Sequence, residues 1–182
     1  MFTLCQLRLN LQNQTQILLK KLLKQLVKLL SKKVVKRREV RQVVVQTLYQ
    51  MISAHKDLDI NEAVAYALEA GVFPEEGYEG IDNEYFYELI EGVRSKETEI
   101  DKLIEPYLTG WSLDRIARID LIILRVAFYE IFFVSKEEVP NNVAADEAIE
   151  LSKFFSDDKS RQFVSGVVAK VLDDTKAEAD NE

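Results

Sequence analysis

The segment from Ile119 to Phe133 (Ile119, Leu121, Ile122, Ile123, Leu124, Val126, Ala127, Phe128, Ile131, Phe132 and Phe133) constrains this chain more than any other. As a helix it is apolar on nearly all sides, so neighbouring elements must cover it. Arg125 and Glu130 break the apolar run and read as polar residues satisfied within the structure. The rest of the chain supplies amphipathic partners. Val40, Val43, Val44, Leu48, Met51 and Ile52 keep the i, i+3, i+4 spacing of a buried helix face. Asp59 or Asn61 caps a helix through Ala63, Val64, Ala67 and Leu68, with Gly71 as its stop and a connecting loop from Val72 to Gly80. Asp82 opens one long helix or two collinear ones, through Tyr85, Phe86, Leu89, Ile90, Val93, Ile100, Leu103 and Ile104 to about Pro106. Ser112 caps a short turn carrying Leu113 and Ile116, and Pro140 or Asn142 begins a helix with Val143, Ala144, Ala148, Ile149 and Leu151 inward. A last helix uses Asp157 and Asp158 in its first turn, buries Phe163, Val164, Val167, Val168 and Val171, and gives way from Asp173 to an acidic, frayed tail. With six Gly, three Pro and no alternating strand pattern in 182 residues, the chain is expected to be all-α.

Charge divides the chain sharply. Residues 1–41 hold eleven Lys and Arg against the single acid Glu39, a balance of +10, which leaves −17 on the remainder of a −7 total. So acidic a body repels phosphate over most of its surface, and any nucleic-acid contact must be local and basic. Residues 1–35 form a lysine-rich amphipathic helical pattern, too interrupted by charge to span a membrane and without a signal peptide's cleavage site. Three readings of it compete: a helix lying on an anionic membrane or a partner, an appended helix packing on the body, or sequence upstream of the true start. One cysteine, Cys5, permits no internal disulfide, and the chain reads as intracellular and cytoplasmic.

The basic run ends in Lys36-Arg37-Arg38-Glu39-Val40-Arg41, where it meets the first apolar-periodic helix. On a helix, Arg37, Arg38 and Arg41 fall within an arc of roughly 100°, so their guanidinium groups can converge on one anion or one strand of phosphates. The alternative is an ordinary solvated helix start. Tyr49, at the edge of the apolar stripe, can be half buried with its hydroxyl toward a partner or be merely structural. Catalytic chemistry lacks residues. His55 and Cys5, fifty residues apart, make no convincing nucleophile pair, and no zinc helix, Glu-x-x-His pair or glycine-rich phosphate loop is present, so neither enzyme activity nor a cofactor or metal is expected.

Ordered motifs then identify a family. Arg37-Arg38-Glu39, Leu48-Tyr49-Gln50, Pro106-Tyr107-Leu108, Ile122 through Glu130, Val139-Pro140, Ala145 through Lys153 and Arg161 through Val168 together resemble the NusB family over about residues 36–172. The resemblance leaves residues 1–35 as a non-family extension and 173–182 as a tail. It implies two small helical subdomains, with an extra N-terminal amphipathic helix here, and a non-enzymatic transcription antitermination factor. Such a factor binds boxA RNA of ribosomal RNA transcripts together with NusE, a small-subunit ribosomal protein, within the RNA polymerase antitermination complex. The same resemblance carries RNA contacts to Arg37, Arg38 and Arg41 and to Lys159, Ser160, Gln162 and Phe163, and contacts with NusE to Tyr49 and Asp120. Phe163 is either a base-stacking residue or core. Lys159 stands where some relatives place an acid, and Asp157 and Asp158 would repel phosphate unless they face away.

The chemistry fits: single-stranded RNA is held by aromatic and guanidinium planes, by cations and by helix N-termini. A basic ribosomal protein would also suit the acidic body. Two alternatives stand beside this reading. One is a structural interaction module acting through residues 1–35; the other is a NusB-like domain of an RNA cytosine methyltransferase, which would need a catalytic domain that the sequence to Glu182 lacks.

Overall fold

The computed structural model describes residues 36–53, 58–69 and 84–179, and among these it contains helices and no strand. The helices are α1 (Arg37–Ser53), α2 (Ile60–Glu69), α3 (Glu84–Ser95), α4 (Glu97–Ile104), α5 (Arg118–Phe133), α6 (Asn141–Phe155) and α7 (Asp158–Ala179), with 3₁₀ turns at Glu105–Tyr107 and Leu113–Arg115. None of them is long and apolar enough to cross a membrane. The 1–35 extension, His55, Gly71, the 72–80 loop and the Asp82 start lie outside the described residues.

Helix α5 is the central helix its composition requires. Its buried residues run from Ile122 to Ile131, interrupted only by half-buried Arg125, and α1, α3, α4, α6 and α7 all pack against it. Helices α1, α3 and α4 gather on α5 with α2 packed on α1 as one group, and α6 with α7 form the other, giving two small helical subdomains that share α5. Phe128, fully buried, meets Tyr107 edge-on at 5.8 Å, which ties the 3₁₀ turn to the core. Each such buried side chain contributes about 1.5–3 kcal/mol through removal of apolar area from water.

Local signals account for most boundaries. Asp59 caps α2 by accepting from the Asn61 amide at 3.1 Å, whereas the Ser112 side chain caps nothing and only its carbonyl accepts, from Arg115. The run from Glu84 to Ile104 is two helices, broken at Lys96, whose backbone (φ −108°, ψ 14°) leaves the helical region.

Three expectations about buried faces need correction. Ile52 is 42% exposed, because the apolar stripe of α1 leaves the core at its C-terminal end. Val143 is exposed as well: the buried face of α6 is made by Ala144, Ala145 and Ala148. Helix α7 runs past Asp173 to Ala179, since Val171 is fully buried and Leu172 and Thr175 are partly so.

Candidate nucleic-acid interface

The start of α1 is built by Glu39, whose carboxylate accepts from the Lys36 amide at 3.0 Å, the return half of a capping box. The three arginines that follow do not converge on one anion. Arg37 reaches the α5–α6 connection, donating to the Glu138 carbonyl and carboxylate at 2.8 Å each, and its guanidinium lies 4.6 Å from the centroid of the Tyr85 ring. Arg38 grips Glu147 of α6, with its Nη2 2.8 Å from Oε1; that hydrogen bond and charge raise the pKa of Arg38. Both side chains remain about half exposed.

Arg41 corrects the sequence expectation. It is 3% exposed and its Nε donates to both oxygens of Glu130, itself 1% exposed, at 3.0 Å. Its Nη2 donates to the Tyr85 hydroxyl at 3.1 Å, and that hydroxyl donates to Glu130. Burial alone would lower the Arg41 pKa, but Glu130, with Tyr85 and Glu147, raises it; burial followed by the Glu130 charge pushes the Tyr85 phenol far up. The triad is a structural tie between α1, α3 and α5, and Arg41 is not placed to meet RNA. Glu130 is thereby satisfied internally, as is Arg125, which pairs with Asp101 and Glu97 at 2.8 Å.

At the start of α7, Asp157 is the cap. Its Oδ1 accepts from the Ser160 amide at 2.9 Å, and this backbone hydrogen bond holds its carboxyl below the ordinary range. The protein's own carboxylate thus stands at the anion-binding end of the helix and takes the Ser160 amide that a phosphate would otherwise use. Asp158 pairs with Arg161 at 3.0 Å. Lys159 and Gln162 are exposed, and Ser160 is partly so. Phe163 is neither core nor free: it is half-buried, its ring 6.1 Å from that of Trp111.

The two helix starts meet across α6. A surface groove lined by Arg38, Gln42, Glu147, Glu150, Lys153 and Phe154 adjoins a second, which includes Lys153, Arg161 and Gln162, and Lys153 borders both. Lys153 also donates to Glu150, holding that carboxyl below its ordinary value. Lys153 and the exposed Phe154 belong to this surface and were not singled out from the sequence, although a lysine beside two phenylalanines at a helix end was a visible signal.

On another face Tyr49, 40% exposed, lines a groove with Gln46, Gln50, Ala117, Arg118, Ile119 and Phe155. Asp120 does not reach it. The residue is 3% exposed in the first turn of α5 and its carboxylate accepts from Ser156 Oγ, so in the unbound chain it ties α5 to the α6–α7 corner rather than facing the groove. The charge lining this groove belongs to Arg118, so the acidic complementarity expected of the body is not concentrated here.

A family model described as the NusB family matches residues 38–173. The chain is 47% identical over 134 residues to the transcription antitermination protein NusB of Lactiplantibacillus plantarum, covering 73% of this chain and 91% of that protein. It is 38% identical over 134 residues to the protein of the same name from Bacillus subtilis, covering 74% and 92%. Among solved structures it is similar to T. maritima NusB, with a TM-score of 0.61 and 29% identity over 75% of this chain and 89% of that one. It also shares its fold with a chain in a crystal structure of antitermination factors NusB and NusE in complex with dsRNA, with a TM-score of 0.58 and 24% identity over 74% and 94%.

Proposed function

The chain belongs to the NusB family, and we propose that it acts as a non-catalytic transcription antitermination factor that binds boxA RNA of ribosomal RNA transcripts together with NusE. In this reading it works within the RNA polymerase antitermination complex. The observation that carries it is the surface joining the two helix starts through Lys153. Arg37 and Arg38 stand half-exposed at one end, and Lys159 and Gln162 are exposed at the other. An exposed ion pair is worth about 0–1 kcal/mol, so a phosphate can draw Arg37 from Glu138 at little cost, whereas Arg38 is held more firmly because Glu147 is only 13% exposed. NusE is assigned to the Tyr49 groove, where Ile119 and Phe155 supply apolar contact and Arg118 a directional charge.

The test is a titration of boxA RNA with the full chain across a salt series. Arg37→Ala with Arg38→Ala is expected to weaken binding and reduce the log-log salt slope by at most about 1.4 units, since each phosphate contact on a single strand contributes about 0.7. Unchanged affinity and slope would remove the α1 arginines from the interface. For the partner, Tyr49→Ala should weaken association with NusE and leave RNA binding by the chain alone as it was.

A further inference from the structure

We propose that Trp111 stacks on a base of the bound RNA, so that the single-stranded path continues beyond Phe163 onto the loop between the two 3₁₀ turns. The inference rests on the RNA-binding reading and adds a contact that the family resemblance did not assign. Trp111 is 54% exposed, although a tryptophan has more apolar surface to lose to water than any other side chain. It is not a mobile tip. The loop is pinned by buried Leu108, by hydrogen bonds from the Thr109 amide to the Tyr107 carbonyl (3.1 Å) and from Lys170 Nζ to Thr109 Oγ1 (2.6 Å), and by a turn at Gly110 with φ 77°. A ring held in place while more than half exposed is a preorganised stacking surface.

Its surroundings select a nucleic acid. The Phe163 ring stands 6.1 Å away at 57°, and the Arg115 guanidinium lies 5.9 Å from the Trp111 centroid. Lys159, Phe163, Gly166 and Lys170 recur at i, i+4, i+7 and i+11 and so share one face of α7. Beside Gly166 the space is open, with nothing within 4 Å of where a Cβ would stand. Two aromatic rings with Arg115, Lys159 and Lys170 on the same stretch of surface combine the base-stacking plane and the backbone cations that single-stranded binding sites use.

Trp111 is the only tryptophan, so emission excited at the red edge of the indole band, where the tyrosines do not absorb, reports this position alone. The probe is a single-stranded boxA oligonucleotide, titrated in parallel by tryptophan emission and by anisotropy of a labelled copy. Quenching that saturates together with the anisotropy is expected, with Trp111→Ala weakening binding about tenfold and Trp111→Phe retaining most of the affinity. The Arg37→Ala, Arg38→Ala double variant should bind more weakly yet reach the same quenching at saturation. Binding seen by anisotropy with unchanged emission and an unaffected Trp111→Ala variant would overturn the stacking role while the RNA-binding reading stands. Emission that responds to NusE and not to RNA would overturn it in favour of a protein contact. No RNA binding by the unaltered chain would remove both readings together.

Discussion

The starts of α1 and α7 both carry basic residues, and they are built on different plans. At α1 the cations are spent over long distances: Arg37, Arg38 and Arg41 pair with Glu138, Glu147 and Glu130, about a hundred residues away. At α7 the pairing is local. Asp157 caps the amide three residues on and Asp158 pairs with Arg161 on the next turn, while Lys159 points to solvent. One end thus stitches the subdomains together and the other only finishes its own helix. A basic residue at a helix start therefore carries no single meaning, and the carboxylate it faces decides between stitching and binding.

The sharpest way to break this contrast is Arg41→Ala. Removing the cation leaves Glu130 buried without its partner, and a loss of about 3–5 kcal/mol is expected. Denaturant unfolding reads it, and a loss below 1 kcal/mol would show that the triad is not what joins α1 to α5. A smaller effect tests whether α7 is wholly local. Ser156, just before the cap, donates to Asp120, so Asp120→Ala should lose about 1–3 kcal/mol by leaving that hydroxyl without its acceptor in a partly buried corner. If stability is unchanged, the α7 start needs no tertiary support. The smallest effect is a pH response. Because the folded Asp157 carboxyl titrates below its ordinary value of 3.8, its contribution is fully present above that pH and is lost as pH falls through the depressed folded value. The protection factor of the Ser160 amide, exchange corrected for its intrinsic pH dependence, should fall in that acid range in the unaltered chain, and Asp157→Asn should abolish the pH step; a step that persists would assign it to another group.

How much was legible follows the same division. The helices were readable because the apolar spacing of α1 and the all-round apolarity of α5 each admit one periodicity. So were the internal roles of Arg125 and Glu130, since polar residues inside an otherwise apolar helix must find partners there. The fate of Arg41 was not legible. On a helix drawn alone it shares an arc with Arg37 and Arg38, and only the tertiary position of Glu130, 89 residues on, turns it inward. Asp120 was misread for a similar reason, since its partner Ser156 lies on another element. Trp111 went unremarked because Phe163, 52 residues on in sequence, reaches it only through the packing of α7.

The carboxylates that face Arg37 and Arg38 have a further consequence. On the proposed RNA reading, Glu138 and Glu147 already occupy the guanidinium positions that a phosphate would take, and Asp157 holds the Ser160 amide of α7. If that reading holds, the unbound protein is loaded with an internal imitation of the RNA backbone, and binding becomes an exchange of one anion for another. Fewer small ions are then released per contact than a count of arginines suggests, so salt dependence is shallower than that count predicts. A polyanion that offers charge alone gains little from such an exchange. One that also presents bases for stacking has a second source of affinity, and discrimination between the two is set by the acids at the site as much as by its cations.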